Sequence, residues 1–146
     1  MEDGFQVPNT DLVPTLGADV FRGIGWDVEL VCATRGESGN RGALENSTES
    51  TGDIRQKELE KSIKIVGIRR ITFLGFKDTL MPKLAAGELE ESIYKVLKER
   101  NPNIVITFEP NGVTNHPDHK RLTVATTYAF QKYTRRYYYR FLFLFF

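Results

Sequence analysis

The sequence predicts a three-layer α/β/α fold built on a mainly parallel sheet. Three observations carry that expectation. Apolar runs of strand length recur along the chain, amphipathic helical patterns separate them, and polar loops follow the apolar runs. In sheets of this kind, ligand sites lie beyond the carboxyl ends of the strands.

The elements follow in order. Residues 1–15 carry Gly4, Pro8, Asn9 and Pro14 without periodicity and read as irregular. Leu16 to about Gly23 suits a short helix. Asp27–Ala33 reads as a strand that turns fully apolar towards its end. Thr34–Gly52, rich in Gly, Ser, Asn and Glu, is a long loop. From Asp53 to about Val66, Leu59, Ile63 and Val66 recur at helical spacing, and Gly67 suits a stop. Arg70–Leu74 is a short strand. Leu89, Ile93, Val96 and Leu97 line one face of a helix over Gly87–Arg100, which Asn101-Pro102 ends. Asn103–Phe108 reads as a buried-type strand and Glu109–His116 as a polar loop. A helix runs from about Pro117 to Tyr133, with proline at the first position, where its missing N–H costs nothing. Thr134–Phe146 is a terminal aromatic strand with no polar residue after it. The alternation is Rossmann-like. The length of 146 residues suits one domain, 1–146, and both ends read as cut short.

Composition narrows the function classes. A formal net charge of +1 leaves no basic field for nucleic acid. No apolar run is long enough to span a membrane, and the polar start is unlike a signal peptide. A single cysteine, Cys32, excludes an internal disulfide and cysteine-rich metal sites; its apolar surroundings predict a buried, inert thiol. These features predict a cytoplasmic protein. Asn46-Ser47-Thr48 matches a glycosylation sequon, which carries little meaning without a secretion signal.

His116 and His119 are the only two histidines, three residues apart at a strand-to-helix junction. That spacing lets both face one side of the first helical turn. Asp118 between them could orient an imidazole. A pair of solvated surface histidines competes with this reading. A catalytic zinc takes three protein ligands and keeps an open position for water, so two histidines require a carboxylate to complete the set. Thr34-Arg35-Gly36-Glu37-Ser38-Gly39-Asn40 lets backbone approach a ligand, or is a flexible loop. It lacks the Gly-Lys-Ser/Thr element of a phosphate-binding loop. Arg55 and Glu58 suit either an i,i+3 surface pair or, for Arg55, a substrate contact. Asp78 suits a turn or a polar ligand contact.

Taken together, Thr34-Arg35-Gly36-Glu37-x-Gly39, Arg55-x-x-Glu58-Leu59, Phe73-Leu74-Gly75-Phe76-x-Asp78, Pro102 to Thr107 and His116-Pro117-Asp118-His119 resemble the PIG-L/LmbE-like family of zinc-dependent N-acetylglucosaminyl deacetylases, over roughly Gly17 to Phe130. The resemblance implies hydrolysis of the N-acetyl group of an N-acetylglucosamine conjugate, a small-molecule substrate. It implies zinc as cofactor, His119 as a metal ligand, His116 as the catalytic histidine and Asp118 as its support. It also implies Arg55 and Asp78 as sugar contacts. The family's first motif, His-Pro-Asp-Asp-Glu, has no counterpart: in the window Val7-Pro8-Asn9-Thr10-Asp11 only the proline matches, and Asp11 is a weak substitute ligand. The alternative is a non-catalytic sugar-binding or regulatory member of the same fold. With one ligand of three, the chain alone is expected to hold zinc negligibly. The Tyr137–Phe146 segment offers a surface for a homo-oligomer.

Overall fold

The computed structural model describes residues 23, 25–39 and 48–134 in full, and the backbone of 140–144. The expected short helix before Gly23, the irregular start with Asp11, the asparagine of the sequon and the side chains of the terminal aromatic strand lie outside the described residues. The chain divides into two compact units, Met1–Phe73 and Leu74–Phe146.

In the first unit, strand β1 (Glu29–Cys32) pairs in parallel with β2 (Arg70–Phe73), Leu30 opposite Ile71. Parallel neighbours need a crossover, and helix α1 (Thr51–Val66) supplies it. Ser50 caps the helix, its Oγ accepting the Asp53 N–H at 3.2 Å. Gly67 ends it at φ 78°, its N–H donating to the Ile63 carbonyl at 2.7 Å. Leu59, Ile63 and Val66 pack with Val28, Cys32 and Ile71 on buried Leu30 and Ile68. The expected strand is trimmed at both ends, and Cys32 is only half buried, less than its apolar neighbours suggested.

In the second unit, a single 3₁₀ turn (Met81–Lys83) precedes helix α2 (Glu88–Arg100). Strand β3 (Ile104–Phe108) leads to a four-residue helical turn, α3 (Gly112–Asn115), and then to helix α4 (Pro117–Thr134). Strand β4 (Arg140–Leu144) returns parallel to β3, Ile104 opposite Arg140. Leu89, Ile93 and Leu97 of α2 and Ala125, Ala129, Phe130 and Tyr133 of α4 form the buried core here. Asn101 closes α2 in the left-handed region, where Asn is tolerated, and accepts the Tyr133 hydroxyl at 2.6 Å. Arg121 of α4 makes a bidentate pair with Glu90 of α2 at 2.7 and 2.9 Å. That hydrogen bond from Arg121 holds the Glu90 carboxyl below its usual range. Of the three crossovers in the expected alternation, two join paired parallel strands within the units: α1 between β1 and β2, and α4 between β3 and β4. The Glu109–His116 segment, read as loop, holds the extra turn α3. Among the described residues no helix is long and apolar enough to cross a membrane.

Candidate active site

The first unit places the Thr34–Gly39 loop directly after β1. Its backbone is folded by its own side chains: the Gly36 N–H donates to Thr34 Oγ1 at 3.3 Å and the Arg35 N–H to Glu37 Oε2 at 3.1 Å. The Arg35 guanidinium reaches Asp53 in the first turn of α1 at 2.7 Å. Asp53 also accepts the Ser50 hydroxyl, which with Arg35 keeps its carboxyl below the usual range. Arg55 lies against the Gly39 backbone, where any Cβ would overlap its guanidinium. The loop read as either flexible or ligand-binding is therefore tied to the start of α1, and Gly39 is the residue that lets Arg55 approach.

The second unit carries both histidines. Pro117 pushes the residue before it out of the helical region, and His116 is extended at φ −67°, ψ 131°. Its carbonyl accepts the Lys120 N–H at 3.1 Å, and its Nδ1 accepts the Asp118 N–H at 3.3 Å. His116 thus stands where an N-cap stands on α4, with an imidazole nitrogen as the capping acceptor. An Nδ1 that accepts carries no proton, so in the neutral ring the proton is on Nε2.

His119 has the opposite arrangement. Its Nδ1 lies 3.1 Å from the Gly112 carbonyl. A carbonyl only accepts, so Nδ1 donates and Nε2 keeps its lone pair. Phe108 stacks on the ring at 4.2 Å and 9°. The two imidazoles lie 4.9 Å apart, as the three-residue spacing predicted. One ring offers a proton and the other a lone pair.

Asp118 is buried at 2% exposure. Its Oδ2 accepts the Thr79 N–H at 2.6 Å, and Asp78 Oδ1 accepts the same N–H at 3.1 Å. The structure therefore brings Asp78 and Asp118 to one amide. Thr79 sits at φ 67°, an uncommon conformation for a β-branched residue. Asp118 meets His116 through its backbone N–H, whereas sequence reasoning assigned that support to its side chain. Asp118 Oδ1 is buried without a hydrogen bond.

Sequence reasoning missed Glu109. It is buried, and its carboxylate accepts the Asn111 N–H at 2.7 Å and the Val113 N–H at 2.6 Å. The only signal for it was an acidic residue directly after an apolar strand.

The donor set can be tested against zinc. His119 Nε2 suits a ligand, but His116 Nδ1 is already occupied. No group of three or more His, Cys, Asp and Glu side chains gathers to hold a metal ion among the described residues. A catalytic zinc needs three. The described residues do not make up such a site, and Asp11 lies outside them.

Residues 18–130 match the family model described as PIG-L, GlcNAc-PI de-N-acetylase. The chain belongs to the PIG-L family. It is 40% identical over 93 residues to the probable N-acetyl-alpha-D-glucosaminyl L-malate deacetylase 2 of Bacillus anthracis, covering 61% of this chain and 40% of that protein. It is 33% identical over 129 residues to the 1D-myo-inositol 2-acetamido-2-deoxy-alpha-D-glucopyranoside deacetylase of Mycobacteroides abscessus, covering 74% and 46%. Among solved structures, the N,N'-diacetylchitobiose deacetylase of Pyrococcus horikoshii superposes with a TM-score of 0.68 at 27% identity, over 82% of this chain and 45% of that one. A conserved protein of Thermus thermophilus, at 24% identity and a TM-score of 0.64, shows the same fold. The PIG-L chain thus shares the fold of these two solved structures and spans less than half the length of the relatives described.

Proposed function

We propose that this PIG-L chain serves the hydrolytic removal of the acetyl group from an N-acetylglucosamine conjugate. The observation that carries the reading is the complementary pair of imidazoles at the start of α4. In such a reaction the amide C–N bond breaks, water supplies the new C–O bond, and the leaving amine takes up a proton. His116, with its proton on Nε2, polarises the amide carbonyl or protonates that amine. Asp118 and Thr79 hold the turn that carries His116. Arg55 and Asp78 contact the sugar in this reading. The Bacillus, Mycobacteroides and Pyrococcus relatives are named as deacetylases of acetamido sugars, which supports the substrate class.

The family match runs through parts of both units, which supports reading 1–146 as one deacetylase domain. Cytoplasmic residence and self-association through Tyr137–Phe146 belong to the same proposal; the concentration dependence of sedimentation of the full chain checks the latter.

Zinc is the cofactor this reading calls for, and the described residues supply one fitting ligand. That count favours a second reading, a non-catalytic sugar-binding member of the fold. Acetate release from N-acetylglucosamine conjugates, with and without added zinc, separates the two. Zinc-dependent release supports the deacetylase. Saturable binding of the conjugate without release supports the second reading. Elemental analysis of the purified chain is expected to find little zinc, and one tightly held ion per chain would overturn that expectation.

A further inference from the structure

Glu109 follows β3 directly and takes up three successive amides. Its side chain accepts the Asn111 and Val113 N–H groups, and its carbonyl accepts the Gly112 N–H at 2.8 Å. The backbone it holds is one that few sequences adopt unaided. Gly112 has φ 69°, Val113 has φ 62° and ψ −60°, and Asn115 has φ 63°. Val113 is β-branched and strained there. Such a turn persists only where its surroundings over-determine it. The result of the constraint is the Gly112 carbonyl, set 3.1 Å from His119 Nδ1. Gly112 approaches so closely that a Cβ would stand 2.8 Å from that of His119.

We propose that Glu109 is the positioning residue that fixes the tautomer of His119. Its carboxylate holds the 111–113 turn so that the Gly112 carbonyl accepts a hydrogen bond from Nδ1–H and leaves the Nε2 lone pair free. The use of that lone pair rests on the function proposed above; the tautomer does not.

The test is long-range ¹H–¹⁵N spectroscopy of the full chain labelled at histidine, at a pH where both rings are neutral. Only two histidines occur, so His116→Gln assigns the spectrum. Wild type is expected to show His119 protonated at Nδ1 and His116 at Nε2. In Glu109→Gln one N–H faces an amide NH₂ instead of an acceptor. His119 is then expected to shift towards the Nε2-protonated form, while His116 keeps its pattern. A folded Glu109→Gln protein with an unchanged His119 pattern would overturn the proposal, as would a wild-type His119 protonated at Nε2. If that variant does not fold, amide exchange in wild type decides. Asn111 and Val113 amides as protected as those of α4 support the proposal, and exchange at exposed-loop rates overturns it. Absent deacetylation with the expected tautomers would count against the function alone.

Discussion

The loops after β1 and β3 occupy equivalent places in their strand–helix units but are held by opposite means. Thr34–Gly39 is tied by an ion pair whose side chains are 43% and 51% exposed, Arg35 and Asp53. Such pairs contribute little and are screened by salt. The turn after β3 is held by a buried carboxylate on main-chain amides, by positive φ at neighbouring residues, and by a glycine whose added Cβ would meet the Cβ and backbone of α4, where at Gly39 it would meet only the far end of the Arg55 side chain. The first loop's long-range tie is an exposed, salt-screened ion pair. The second has one arrangement, and it is the one that sets the histidines. Precision here tracks burial rather than the number of charges.

The contrast can be broken by measurement. Gly112→Ala is expected to cost most, about 2–4 kcal/mol in denaturant unfolding, because strain and overlap add; a loss near zero would mean the turn is loose. Glu90→Gln is expected to cost about 1–3 kcal/mol at neutral pH, since it leaves Arg121 half-paired. The folded Glu90 carboxyl lies below its ordinary value of 4.5. Its contribution is therefore complete above that value and is lost as pH falls through the lower folded one. The difference from wild type should shrink below pH 4.5, and a difference constant with pH would refute the assignment. Ser50→Ala, which removes the cap of α1, is expected to cost about 1 kcal/mol. Arg35→Ala should change the unfolding midpoint least, and molar salt should erase the difference. A salt-resistant loss as large as that of Gly112→Ala would end the contrast between the loops.

The elements were legible where one local rule decided them. Apolar spacing at Leu89, Ile93 and Leu97 marked α2, and Pro117 marked the start of α4. The nearness of His116 and His119 followed from helical spacing. What escaped depended on partners distant in sequence or on backbone sign. Asp118 finds Thr79, thirty-nine residues away, and no periodicity announces that. Glu109 looked like the first residue of a polar loop because its carboxylate's partners are amides, which every residue but proline carries. Val113 at positive φ contradicts its own preference, so composition could only mislead there.

The parallel pairing of the strands also sets an order of events. Glu29 meets Arg70, and Ile104 meets Arg140, only after an entire helix has crossed between them. Neither ladder can close as a hairpin. The paired residues are far apart in sequence, so each ladder closes a long loop and its contacts are of the kind that form late in folding. Until they form, the apolar stretch Ile104–Phe108 is an unpaired edge.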